Sequence, residues 1–474
     1  MWRAVSRFWF VMVGVALAYG SSARAQTVGE RVLVTQNFET KIRNEKVDQV
    51  YLGQIGTIVG MQDKWCSLEG VRGWIPLQYV MNLESALKFY TKRLAAKNQD
   101  VEALSTRGMI LYELGRLDDA FRDFNAALKV NDKLYVPWNN RGMVCMAQGK
   151  WNDALRDVDY AIRLNPKYAD AYANRGLIFA NLGRFDEAIA DLQQAVALEP
   201  NKPLHYARLG SVQFEKGELA GAQASFEAAA KINPRIAEIY VGFGNIQLSQ
   251  GQLESALKFA NRAIELDVRN PKAWNLAGWL KFQLGDSTAA IQCYNKAVNL
   301  DPTFGIAYSN RGVALVDQGR LEEAIKDYDL ALRHDEKAAL TYSNRGTAWL
   351  DRGEFAKAQA DFEKSLELAP DLPEALNVYA WFLATCRDES FRDGPRAVTL
   401  AEKAVAGSQE QNWYHLDTLA AAKSAVGDFE AAIRFQTLAV EKCPERTKEA
   451  CERRLKMYRD GQPARGEDGK SAGR

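Results

Sequence analysis

A spacing of 34 residues constrains this chain more than any other feature. Glycine recurs at that interval at Gly108, Gly142, Gly176, Gly210, Gly244, Gly278, Gly312 and Gly346. A second glycine series runs Gly115, Gly149, Gly183, Gly217, Gly251, Gly285, Gly319 and Gly353. Alanine supplies a third, at Ala120, Ala154, Ala188, Ala222, Ala256, Ala290, Ala324 and Ala358. Three series in register over eight units define a repeat array, in which each unit buries its apolar face only by stacking on its neighbours.

The residue types say what the unit is. The first glycine lies inside a helical pattern, where it costs about 1 kcal/mol relative to alanine. That cost is tolerable where a second helix must come too close for a side chain. The second glycine follows the last periodic residue of that helix, where a left-handed cap is wanted. The alanine opens a second helix facing the first at short range. Prolines at Pro166, Pro200, Pro234, Pro302 and Pro370 then stop that second helix.

With those positions in place, the sequence resembles the tetratricopeptide repeat family. In the unit near Asp170 the family pattern is carried by Tyr172, Gly176, Phe179, Ala188, Leu192, Ala195 and Pro200. The resemblance covers eight full units over 101–372. It implies a mainly α fold, an α-solenoid of helical hairpins wound as a right-handed superhelix whose first helices line a concave groove. In such proteins the groove takes peptides or proteins. Residues 84–100 fit the register as an N-terminal capping helix, with Ala86 and Tyr90 in phase. Residues 373–446 hold two further degenerate repeats with a loop insertion around Glu389–Pro395. Residues 447–460 read as a C-terminal capping helix and 461–474 as a disordered tail.

Between 26 and 83 the pattern changes to short β-branched or aromatic runs at 31–35, 56–61, 65–68 and 73–76, divided by glycine and charged turns. The stretch from Trp65 to Pro76, with Gly73-Trp74 and the upstream Gly56-Thr57-Ile58-Val59, resembles a bacterial SH3-like β-barrel. Relatives of that kind often bind cell-wall peptides. Tyr51, Trp65, Trp74 and Tyr79 are candidates for such a groove, although Trp74 fits a core position better.

Export is expected from residues 1–25. Arg3 and Arg7 precede an apolar stretch from Phe8 to Tyr19, and Ala23-Arg24-Ala25 is a small-x-small cleavage site. A dozen apolar residues are short for a bilayer span, so cleavage after Ala25 to a periplasmic or secreted form is favoured over a retained anchor. The chain has 61 basic and 60 acidic residues. That balance argues against a nucleic-acid partner, which would want concentrated positive charge. Of six cysteines, Cys443 and Cys451 are the close pair and flank Pro444. They are either a disulfide tying down the last helix or two inert buried thiols. Cys145 and Cys293 fall in repeats too far apart to bridge, and Cys66 stands alone.

No catalytic pattern emerges. The three histidines His205, His334 and His415 have no partner at metal-ligand or catalytic spacing. Neither a phosphate-cradling loop nor a nucleophile elbow occurs, so no enzyme activity, cofactor or metal is expected. Five units pair an arginine in the first helix with an aspartate in the second: Arg107-Asp123, Arg141-Asp157, Arg175-Asp191, Arg311-Asp327 and Arg345-Asp361. The other three have Leu209, Phe243 and Ala277 facing Ser225, Phe259 and Cys293. Presence and absence agree in all eight, which predicts a structural ion pair between the two helices of a repeat.

Candidate groove residues are Asn140, Asn174, Arg208, Asn245, Trp279, Asn310 and Asn344. An asparagine amide can fasten a peptide backbone without reading its sequence, or it can bond within the array. A carboxylate clamp of the kind chaperone-binding relatives use is incomplete: Asn174 and Arg208 fit, but Asn139, Met143 and Leu204 do not. The function expected is therefore a non-catalytic interaction scaffold for a protein or peptide partner. Cell-wall recognition through residues 26–83 is the alternative.

Overall fold

The computed structural model describes residues 31–35, 38–42, 45–50, 54–62, 65–68, 75–76, 79–408 and 412–466. The expected leader, Tyr51, Trp74 and the end of the tail lie outside these residues, as does the side chain of Trp65. The chain divides into two compact units, Met1–Ala273 and Trp274–Arg474.

The first unit opens with strands β1 (Arg31–Val34), β2 (Phe38–Ile42), β3 (Glu45–Val50), β4 (Ile55–Gln62), β5 (Trp65–Leu68), β6 (Ile75–Pro76) and β7 (Val80–Asn82). Five of them form an antiparallel sheet in the order β6-β5-β4-β1-β7, while β2 pairs with β3 separately. Among the described residues no ladder joins β6 to β7, so what is seen is an open sheet and a hairpin rather than a closed barrel. Val32, Val34, Ile58, Cys66, Leu68 and Ile75 make its core. Leu33 points the other way, into an apolar cluster with Leu83, Tyr90 and Leu104 of the first helices, as period-two alternation requires.

Helix α1 (Leu83–Ala96) follows directly, capped by the Asn82 side chain. Five hairpins come next in this unit: α2 (Val101–Glu113) with α3 (Leu117–Val130), α4 (Tyr135–Ala147) with α5 (Trp151–Leu164), α6 (Ala169–Asn181) with α7 (Phe185–Leu198), α8 (Pro203–Lys216) with α9 (Leu219–Ile232), and α10 (Ala237–Ser249) with α11 (Leu253–Leu266). The reason for the glycines is visible at two positions. A Cβ on Gly108 would stand 2.8 Å from the Phe124 ring, so only glycine lets α2 and α3 close. Gly115 takes φ +73°, and Arg116 N–H then donates to Leu111 C=O at 2.8 Å, the bond of a Schellman cap.

A further regular device sits between repeats. Asn131, Asn165, Asn233 and Asp267 each accept, through the side chain, the backbone N–H two residues on. These turns end one hairpin and aim the chain into the next.

In the second unit, α12 (Pro271–Gln283, in whose first turn the division falls) precedes α13 (Ser287–Leu300), α14 (Gly305–Asp317), α15 (Leu321–His334), α16 (Ala339–Asp351), α17 (Phe355–Leu368), α18 (Pro373–Thr385), α19 (Gly394–Gly407), α20 (Trp413–Ala425), α21 (Phe429–Lys442) and α22 (Glu445–Arg459). The insertion after α18 is a short 3-10 turn whose Phe391 packs against Phe355 and Phe382. Residues 461–466 correct the expectation of a tail disordered from 461. Ala464 is buried among Trp381, Ala420 and Tyr458, because α22 leaves an apolar spot that this alanine fills.

Candidate partner-binding face

The five arginine–aspartate pairs are present as two-pronged contacts. Arg141 donates from Nε and Nη2 to the two oxygens of Asp157 at 2.7 Å each. Arg107, Arg175, Arg311 and Arg345 do the same to their partners. Four of these arginines carry a link that the repeat pattern did not reveal. Their Nη1 reaches back one repeat, Arg141 to Asn125, Arg175 to Asp159, Arg311 to Asn295 and Arg345 to Asp329. The guanidinium planes also lie over Trp138, Tyr172, Tyr308 and Tyr342. Charge, hydrogen bonding and stacking thus act at one point between the two helices of a repeat. Hydrogen bonding to the aspartates raises Arg141 and Arg311 above the ordinary arginine range.

The expected groove residues separate into two groups. In the first unit Asn140 and Asn174 are buried. Asn174 Nδ2 donates to Asn139 Oδ1 at 2.9 Å, Asn139 Nδ2 to Asn140 Oδ1 at 3.3 Å, and Arg208 Nη1 to Asn174 Oδ1 at 3.3 Å. This ladder ties α4, α6 and α8 together, and within it Asn174 spends both ends of its amide on the array while Asn140 accepts only from its neighbour Asn139. Arg208 ends the ladder half-buried, and among the described residues no carboxylate lies within ion-pair distance of it. Burial lowers its pKa from the ordinary value, opposed by the more distant Asp170, Tyr112 and Glu238. Asn245, on α10, is half-buried.

In the second unit Trp279, Asn310 and Asn344 are half-buried. Trp279 lies beside Phe282, ring centroids 5.9 Å apart, and Asn310 Nδ2 donates to Asn275 Oδ1 at 3.0 Å. One helical turn before Asn310 and Asn344 stand Ile306 and Leu340, which are 63% and 48% exposed. Residues four apart share a helix face, so consecutive repeats present an apolar side chain and an amide side by side. Ile306 and Leu340 were not among the residues expected from sequence, although their signal was available. The second position of the repeat is charged at Glu102, Asp170, Glu238 and Lys272 and apolar at Val136, Leu204, Ile306 and Leu340. Of the four apolar ones, only Ile306 and Leu340 fall in adjacent repeats. Tyr79, just before β7, is half-buried against the core of the N-terminal sheet.

Models of the tetratricopeptide repeat match residues 101–134, 143–207, 213–280, 305–337 and 339–372, and a further model described as TPR repeat matches 278–319. Together they cover more than half of the chain. It is a tetratricopeptide-repeat protein. No curated protein matches it in sequence. Among solved structures, this tetratricopeptide-repeat chain is similar to one described as the APC/C hetero-tetramer Cut9-Hcn1, with a TM-score of 0.57, 16% identity, and 72% of this chain and 67% of that chain covered. Yeast Tom70 gives a TM-score of 0.37 at 16% identity, over 77% of this chain and 96% of that one. A human IFIT1 dimer with m7Gppp-AAAA gives 0.48 at 13% identity, over 76% and 94%. At these identities the Cut9-Hcn1 likeness supports the helical-repeat fold alone.

Proposed function

We propose that this tetratricopeptide-repeat protein is a non-catalytic scaffold that holds a protein or peptide partner on the first-helix face of its repeats. The observation that carries the reading is the pair of exposed side chains Ile306 and Leu340, each one turn from an asparagine. An apolar residue left in water at matching positions of adjacent repeats contributes nothing to folding, and covering it on binding is favourable at about 25 cal/mol per Å2. The Asn344 amide and the side-chain oxygen of Asn310, whose nitrogen donates to Asn275, can pair with a partner's backbone, so the face suits an apolar side chain on an extended or helical segment. Trp279 is a candidate aromatic anchor on the same unit.

The test is capture from the native envelope fraction by the full chain and by an Ile306→Asp, Leu340→Asp variant of unchanged helicity. Loss of the partner from the variant supports the reading; equal recovery removes it.

Export belongs to the same proposal, with residues 1–25 as a cleaved leader and the mature chain beginning at Gln26. The N-terminal strands are read as an SH3-like module. The antiparallel order β6-β5-β4-β1-β7 favours that reading, and cell-wall peptides are the ligand it would take. Deleting residues 26–83 and sedimenting with purified cell wall separates the two activities, because unchanged sedimentation assigns the binding elsewhere.

A further inference from the structure

We infer that Asp170, Glu199 and His205 form a binding site for a divalent transition cation of the zinc class, at the joint between the third and fourth repeats. Asp170 lies in the first turn of α6, Glu199 is the C-terminal cap of α7, and His205 lies in the first turn of α8. One oxygen of each carboxylate and one ring nitrogen of His205 all stand within 4.8 Å of one another. His205 Nε2 is 3.1 Å from Glu199 Oε2 and 3.8 Å from Asp170 Oδ1. Ligands about 2.1 Å from a tetrahedral zinc stand about 3.4 Å apart, and the two distances bracket that edge. One imidazole and two carboxylates make a donor set for this class of ion. Both acids are partly exposed, which leaves room for water to complete the shell.

A cation already stands at this point. Lys202, the N-terminal cap of α8, places Nζ 2.6 Å from Asp170 Oδ1 and 3.1 Å from Glu199 Oε2. Its single charge offsets one of the two carboxylates, whereas a divalent ion offsets both. The lysine side chain is partly exposed, so it can swing into solvent and give up the position. His205 is fully buried, and among the described residues its Nδ1 has no hydrogen-bond partner. The tautomer is therefore decided at Nε2. With the lysine in place, Nε2 carries the proton and donates to Glu199. With the metal in place, the proton moves to Nδ1 and the Nε2 lone pair becomes the ligand.

The array's own pattern argues that these residues answer to something other than packing. At the place of Glu199, six other repeats carry Asn131, Asn165, Asn233, Asp267, Asp301 and Asp335, each accepting the backbone N–H two residues on. The longer glutamate reaches His205 and Lys202 instead. At the place of Lys202 stand Leu134, Tyr168, Ile236 and Phe304, and at that of His205 stand Ala103, Ala171, Ala273 and Ala307. Three departures from the repeat thus meet at one point. Spacing along the chain hides the set, and led to the expectation of no metal, because Asp170 comes from the preceding repeat.

The experiment strips the full-length chain with a chelator, removes the chelator, and titrates zinc chloride at pH 7 in a calorimeter. The expected result is a saturable equivalent of zinc and a raised unfolding midpoint, since the ion binds the folded chain. His205→Ala and Glu199→Asn each restore the residue that other repeats carry, so both chains should fold, and each should lose the zinc equivalent and the shift in midpoint. Lys202→Leu, again a residue the array uses at that place, removes the competing ammonium and should bind zinc several-fold more tightly. All six cysteines, Cys443 and Cys451 included, are free thiols and are the competing ligands. Cobalt in place of zinc should therefore show weak visible bands without a thiolate charge-transfer band. Zinc binding that survives both His205→Ala and Glu199→Asn overturns the inference. So does a parent chain that binds no zinc, or a Lys202→Leu chain that binds it no more tightly than the parent.

Discussion

Phe243 and Phe259 lie ring to ring, 5.4 Å between centroids, at the two positions where five other repeats carry the arginine and the aspartate of an ion pair. The partners change together because the contact is a single object. An arginine introduced alone in place of Phe243 would face a ring. An aspartate introduced alone in place of Phe259 would bury a carboxylate without a cation. The repeat before it solves the same problem with a smaller pair, Leu209 facing Ser225, whose hydroxyl donates to Gln213 Oε1 at 2.6 Å.

Removing one partner of an ion-paired repeat should cost more than removing both. Asp157→Ala leaves the half-buried Arg141 with Asn125 alone, and the loss should be roughly 1–3 kcal/mol. Arg141→Leu combined with Asp157→Ser, the solution of the fourth repeat, should recover most of it. Urea unfolding of the three chains tests this, with hydrogen exchange in α4 and α5 as the local readout. A double variant as unstable as the sum of its singles would mean that the pair is not coupled.

Gly242 should tolerate no side chain. A Cβ there would meet the Phe226 ring at 2.2 Å, and α10 cannot retreat without disturbing the aromatic group of Phe226, Tyr240, Phe243 and Phe259. Gly242→Ala is expected to destabilise by about 1–3 kcal/mol. Adding Phe226→Leu should restore part of that in a thermal melt, and a melt unchanged by Gly242→Ala would contradict the packing described.

How much was legible follows from these contacts. The hairpins, their glycine caps and the pairing of arginine with aspartate were readable because each leaves a residue type at a fixed register. The reach of Arg141 to Asn125 and of Arg175 to Asp159 was not, since the acceptor varies between amide and carboxylate and lies in another repeat. Asn140 and Asn174 looked like groove residues because their position faces the right way. The Asn174 amide bonds to Asn139 and Arg208 in the neighbouring repeats, and Asn140 accepts from Asn139, which spacing along one helix does not disclose. The Asp417–Arg454 pair is not legible for a related reason: it joins α20 to the cap, outside the 34-residue register.

Acidification should weaken the fold through two buried histidines. Burial, aided by the Lys202 ammonium, lowers the pKa of His205, while Asp170 and Glu199 oppose the shift. Burial lowers that of His415 against the pull of Glu374. A base that is harder to protonate in the folded state costs nothing well above its unfolded pKa of about 6.5. As pH falls below that value the unfolded chain binds the extra protons, and stability is lost until the folded histidine itself protonates. Unfolding midpoints measured downward from pH 7 should therefore fall, and His205→Gln with His415→Gln should flatten the slope. A slope unchanged in the double variant would place the titration elsewhere.

At the C-terminal cap, Arg454→Ala should be severe, about 3–5 kcal/mol, because Asp417 is left buried without its cation. Replacing both, as Asp417→Leu with Arg454→Met, should come within about 1–2 kcal/mol of the parent or exceed it. Protease resistance of the segment from 445 to 459 reads this locally.

The most direct test of the scaffold reading is site-resolved photo-crosslinking in the native host fraction. A photoreactive phenylalanine analogue is placed singly at Ile306, at Leu340 and at Lys326, an exposed position on the second helix of the same repeat as Ile306. Adducts to one recurring protein from positions 306 and 340, absent from 326 and lost when Asn344→Ala is added, are the predicted result. Equal adducts from all three positions, or none from 306 and 340, would contradict it.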